Sequence, residues 1–257
     1  MLHHEVVDHR APWQSERLPI LFHHGIGGSA GIWAGWLPAL IDAHRIVTFD
    51  MRGCGRSTVP PPDARWSMEQ LVDDVFAVAD ATGLARFHLV GESIGGTIAL
   101  AAALARPGRV ATLTVSNGAH LGASIQGVKA WRSELERGVK VWSDTFMRDR
   151  FHDGALTPER RAWFAAQQEA WPPHSILNAL SVLVGADLTP RLGGVACPVL
   201  LLHPDASPFI PVPVMAELHR LLPRAELHVI GHARHGLPFS HDRECAALLR
   251  RFLDART

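Results

Sequence analysis

The chain predicts an α/β fold, a mostly parallel central sheet flanked by helices. Three observations predict it. Short apolar runs recur near 19–24, 45–49, 86–90, 110–116, 198–203 and 225–230, each nearly continuous in hydrophobicity, as strands buried on both faces are. Longer amphipathic segments alternate with them, the pattern of helices covering a parallel sheet. The rhythm stops once, between 121 and 192, where a helical, tryptophan-bearing stretch intervenes before the sheet resumes at Pro198.

At the amino terminus His3-His4-Glu5 reads as a short first strand; Asp8 stands where a zinc-protease helix would need its second histidine. Pro19 to His24 runs into Gly25-Ile26-Gly27-Gly28-Ser29, a loop that bares backbone N–H groups. No Lys-Ser or Lys-Thr follows it and no G-x-G-x-x-G register is present, so a phosphate cradle is disfavoured. The loop is expected to supply an oxyanion donor, the N–H of Ile26, with His24 as its structural neighbour. After the next strand, Asp50 to Ser57 is a shaped turn whose glycines relieve φ strain and whose Arg52 is expected to pair locally. Ser67-Met68-Glu69-Gln70 then offers a capping-box start, and Leu71, Val72, Val75, Phe76 and Ala79 share one helical face.

The most informative element follows. Gly91-Glu92-Ser93-Ile94-Gly95-Gly96 lies between the strand-forming Arg86 to Val90 and the helix-forming Thr97 to Ala105, so Ser93 is presented on a strand-to-helix turn. Such a turn strains the backbone at the serine and leaves no room for side chains two positions either side, which Gly91 and Gly95 supply. The helix beginning near Ile94 aims its free N–H groups and positive dipole end at any anion formed there, making the Ile94 N–H the second oxyanion donor. A bare tight connection is the plainer alternative. Glu92 could polarise the site, although a surface or cap-facing role is the plainer reading.

Residues 121–192 are expected to form a helical cap, dividing the chain into a core of 1–120 and 193–257 and this insertion. Trp131, Trp142, Phe146, Trp163, Phe164 and Trp171 read mainly as cap core, with Trp131 a candidate substrate contact. Arg132, Arg160 and Arg161 could hold a substrate carboxylate, against the simpler reading of solvated helix faces. The strand near 198–203 leads to His203-Pro204-Asp205-Ala206-Ser207-Pro208, where Asp205 is the only carboxylate. The last strand leads to Gly231-His232-Ala233-Arg234-His235-Gly236. His235 is the expected general base, with His232 its competitor; a serine hydroxyl needs an imidazole to take its proton and return it to the leaving group. Asp205 would accept the far N–H of His235 and fix its tautomer.

With these residues in place the chain resembles the α/β-hydrolases over nearly its whole length, and within them the 3-oxoadipate enol-lactonase-like group. The resemblance rests on His24-Gly25, the Asp50–Ser57 turn, the elbow at Gly91, Ser116-Asn117-Gly118-Ala119 and the His235 loop. It implies a cyclic enol-lactone or small carboxylate ester as substrate. One departure stands out: the family usually carries its acid two residues further on, where this chain has Ser207 ahead of Pro208 and Pro211. In some relatives the acid follows the strand after the elbow helix, and Asn117 occupies that end here; an amide orients an imidazole without supplying charge.

Composition fits this reading. Lys plus Arg and Asp plus Glu are balanced at 25 each, so no electrostatic footprint argues for nucleic acid or an acidic membrane, and a small-molecule substrate is expected. Cys54, Cys197 and Cys245 lie far apart without metal-ligand spacing, and no leader or spanning segment is evident, which fits a cytoplasmic protein. Ser93, Asp205 and His235, with the N–H groups of Ile26 and Ile94, thus predict acyl transfer from an ester or lactone to water without cofactor or metal. Hydrolysis of a carbon–carbon bond in a ring-cleavage product uses the same residue types, and a ligand receptor on this fold is the alternative outside enzymes.

Overall fold

A computed structural model describes residues 1–256. Seven strands form one sheet: β1 (His4–Val7), β2 (Ile20–His23), β3 (Ile46–Phe49), β4 (Phe87–Glu92), β5 (Val110–Ser116), β6 (Val199–Pro204) and β7 (Ala225–Ile230). Their spatial order is β1-β3-β2-β4-β5-β6-β7, with β1 antiparallel to β3 and the other pairs parallel. Each of the six later strands lies within two residues of its predicted span.

The helices are α1 (Met68–Ala81), α2 (Ile94–Ala105), α3 (Val128–Glu136), α4 (Val139–Arg150), α5 (Pro158–Glu169), α6 (Pro173–Val184), α7 (Val212–Leu221), α8 (Leu237–Ser240) and α9 (Asp242–Asp254). The expected capping box opens α1: the Ser67 hydroxyl accepts from Gln70 N–H while the Gln70 side chain accepts from Ser67 N–H.

Alternation along the strands builds two cores, because successive side chains leave opposite faces of a sheet. Leu21, Leu89, Val199 and Leu201 point to the face covered by α1 and α2, with Leu71, Val75, Phe76 and Ile98. Ile20, Phe22, Val90, Leu200 and Leu202 point to the other, where Trp33 and Trp36 of the 3₁₀ segment Ala30–Ala39 pack with Leu249 and Phe252 of α9. Helices α3 to α6 lie between β5 and β6, in the stretch where the strand rhythm stops.

Arg52 departs from its expected local pairing. It forms a two-pronged contact with Asp74 of α1, with Nη2 2.7 Å from Oδ1, tying the turn after β3 to the helix beneath it. Asp50 does the local work instead, accepting from the N–H groups of Ala30 and Arg56.

Candidate active site

The carboxyl ends of β2, β4, β5, β6 and β7 face one crevice, so residues far apart in sequence converge there, as in open α/β sheets generally. Ser93 follows β4 directly, with φ 53° and ψ −120°, a strained backbone for a residue with a Cβ. The glycines around it are sterically required: a Cβ on Gly91 would stand 2.2 Å from the Gly95 carbonyl oxygen, and one on Gly95 2.5 Å from that of His23. The Ser93 N–H donates to Ser116 O, fastening the elbow to β5. Ile94 opens α2, so its N–H is among those a helix leaves without an internal acceptor.

His235 meets the serine. Ser93 Oγ lies 3.0 Å from His235 Nε2, although 142 residues separate them. On the other side of the ring, Ser207 Oγ lies 3.0 Å from Nδ1 and also accepts from the N–H of Ile210. Asn117 Nδ2 donates to the His235 carbonyl at 2.8 Å and sits 3.4 Å from Nδ1. Its orientation is set by Ser116, whose hydroxyl donates to Asn117 Oδ1. Phe209 covers the imidazole edge-on at 4.9 Å. Burial first, then the nearby Arg150 and His203, hold the His235 pKa well below that of a free imidazole.

The expected acid is not brought to the base. Asp205 is exposed, and its two carboxylate oxygens accept from the N–H groups of His232 and Ala233 at 3.0 Å each. Two backbone donors in the neighbouring loop satisfy it there, and the chain path past Asp205 turns Ser207, not the carboxylate, toward the ring. His232, also exposed, sits in that outer loop with φ 56°. Proximity in sequence to the end of β6 was thus a poor guide; the alignment of Ser207 with the two following prolines was the better signal.

The glycine loop after β2 closes the crevice opposite. Gly28 N–H donates to Gly25 O, and Gly27 has φ 81°, so Ile26 sits at the tip of a tight turn. His24 is structural: Nδ1 donates to Gly25 O and Nε2 accepts from Met51 N–H. From the helical stretch between β5 and β6, Trp171 Nε1 donates to Gly28 O and Arg150 Nη2 to Ile26 O, at 2.8 and 2.9 Å. Glu92 is buried rather than on the surface. Burial pushes its carboxyl up to about 7, against the pull of Arg150, the Gly25 N–H and Asn117. Sequence reasoning missed Arg150 altogether; nothing local marks it, since its partner Ile26 lies 124 residues away.

A narrow pocket opens onto Ser93 and His235, walled by Ile26, Trp131 of α3, Leu180 and Leu183 of α6, and Phe209. Trp131 is both wall and core, packed on Trp142, Phe146 and Phe209 at 5.3 to 5.4 Å. The arginines considered for a substrate carboxylate lie elsewhere: Arg160 pairs with Asp242, and Arg132 and Arg161 are exposed. Among the described residues no helix is long and apolar enough to cross a membrane.

The chain is 29% identical over 231 residues to "Putative carbamate hydrolase RutD" of Caulobacter segnis, spanning 84% of each chain. Its fold matches a thermophilic esterase from Thermogutta terrifontis (TM-score 0.86, 24% identity, 99% of this chain and 93% of that one). It equally matches the enol-lactonase from Burkholderia xenovorans LB400 (TM-score 0.87, 21% identity, 98% and 96%). The family model described as alpha/beta hydrolase fold matches residues 19–180, and the chain accordingly belongs to the α/β-hydrolase family and is a hydrolase of that fold.

Proposed function

We propose that the chain hydrolyses a small, uncharged ester or lactone through an acyl-enzyme on Ser93. The observation that carries this reading is the 3.0 Å approach of Ser93 Oγ to His235 Nε2 at the floor of the pocket. Ser93 Oγ attacks the substrate carbonyl as its proton passes to His235 Nε2, and a tetrahedral oxyanion forms between the N–H groups of Ile26 and Ile94. Collapse breaks the bond to the leaving group, which takes the proton back from Nε2. Water, deprotonated by the same nitrogen, then releases the acid and restores Ser93.

Ser207 takes the position of the third group. With Nδ1–H donating to Ser207 Oγ, Nε2 is left free to accept from Ser93, the productive tautomer. A hydroxyl orients the ring without supplying the negative charge that would stabilise the imidazolium. Asp205 holds the outer loop in shape.

The wall supports an uncharged substrate, since the described residues lining the pocket include no lysine or arginine. A carbamate is the second reading, favoured by the name of the relative from Caulobacter segnis; its carbonyl needs the same nucleophile and oxyanion donors.

A fluorophosphonate probe should label the protein, and Ser93→Ala should abolish both labelling and p-nitrophenyl acetate turnover. A panel of neutral lactones, aryl esters, aryl carbamates and vinylogous diketones then ranks the substrate classes. Absence of labelling and of turnover across the panel would overturn the reading in favour of ligand binding; turnover of the diketones alone would move it to carbon–carbon cleavage.

A further inference from the structure

The last turn of α4 holds both catalytic loops at once. Its carbonyls at Asp149 and Arg150 accept from the N–H groups of His235 (3.3 Å) and Gly236 (2.8 Å), and the Arg148 carbonyl accepts from the Arg234 guanidinium. These are the carbonyls a helix C-terminus leaves without internal partners, so the histidine loop satisfies them. Gly236 permits the approach, because a Cβ there would stand 2.2 Å from the Phe151 ring. From the same turn the Arg150 side chain, 2% exposed, reaches to the glycine loop and donates from Nη2 to Ile26 O. Trp131, Trp142 and Phe164 surround its guanidinium at 5.7 to 5.9 Å.

Burying an arginine costs several kcal/mol unless its charge and donors are answered. Nη2 donates to the Ile26 carbonyl, and three aromatic faces and the nearby carboxyl of Glu92 offset the charge, while Nε is buried without a hydrogen-bond partner among the described residues; the Nη2 contact is therefore what directs the guanidinium to the glycine loop. Holding the Ile26 carbonyl steadies the Ile26–Gly27 peptide, and with it the loop tip that carries the proposed oxyanion donor, the Ile26 N–H.

We propose that Arg150 is a positioning residue for the acyl-transfer reaction: it ties α4 to the oxyanion loop and the histidine loop together, so that the catalytic groups are in register only when this cap helix is seated. The inference rests on the acyl-enzyme reading above. Its particular consequence is that losing Arg150 weakens stabilisation of the tetrahedral oxyanion while ground-state binding in the apolar pocket persists.

The test compares wild type, Arg150→Met, Arg150→Lys and Arg234→Ala, with folding checked by circular dichroism and melting temperature. Arg234 is the outer member of the clamp and only partly buried, so its truncation keeps a folded variant available. Each is assayed for kcat and KM on p-nitrophenyl acetate, for inhibition by butylboronic acid, which forms a tetrahedral adduct on a serine, and for inhibition by butanol, which does not. Arg150→Met should lose roughly tenfold to a hundredfold in kcat and in boronate affinity, the scale of a partly lost oxyanion donor, with KM and butanol inhibition within about twofold. Arg150→Lys should recover part of the loss, and Arg234→Ala should show a smaller loss of the same kind. Undiminished boronate affinity in the folded variants, or equal losses toward boronate and butanol, would overturn the clamp alone. A wild type that binds no boronate would overturn the acyl-enzyme reading and the clamp with it.

Discussion

Hydroxyls face both ring nitrogens of His235, Ser93 on one side and Ser207 on the other. A serine can donate as well as accept, so the imidazole also has access to the tautomer with its proton on Nε2, which cannot deprotonate Ser93. Ser207→Asp should remove that freedom and supply charge. The carboxylate would raise the His235 pKa, so the acid limb of kcat/KM, expected in the wild type below the ordinary imidazole value, should move to higher pH while the plateau rises about tenfold. A pH–rate profile of the variant checks both. Ser207→Ala should slow acylation more than Asp205→Asn, reversing the order a sequence-based choice of acid would give. The meeting of Ser93 with His235 was legible because strand–turn–helix context and chain order mark both residues. The partner of Nδ1 was not, because choosing between Asp205 and Ser207 depends on the exact path of a six-residue loop and on which backbone N–H groups compete for the carboxylate.

Among the elements, the elbow is the least forgiving. Gly95→Ala would drive a methyl group into the backbone of β2 and His24, and should abolish fluorophosphonate labelling of Ser93, with loss of several degrees in melting temperature. Strands and the capped helix α1 could be read from periodicity because their partners are the generic faces of a sheet. The role of α4 could not. Its importance lies in carbonyls at its end and in one arginine turned inward, and neither leaves a trace in hydrophobic pattern. Arg52 teaches the same lesson: the turn motif was visible, while its partner on α1 was set by how the helix packs.

For the molecule as a whole, the buried Glu92 makes stability depend on pH in a defined direction. The unfolded carboxyl ionises near 4.5 and the folded one near 7, so between these values the folded state binds more protons. Its contribution is therefore fully present below 4.5 and is lost as pH rises toward 7, by on the order of 3 kcal/mol in the limit. Glu92→Gln should flatten that part of the profile in chemical denaturation from pH 4.5 to 8. The union of α4 with the histidine loop also bears on how a substrate gets in. A lid hinged at that end would have to disengage the very base it serves each time it swung aside. Ile125 and Val128, which also line the pocket, are only half-buried, so the wall they share with Leu180 and Leu183 comes nearer the surface. Entry past those side chains would admit slim, flexible molecules and leave the joined helix and base where they are.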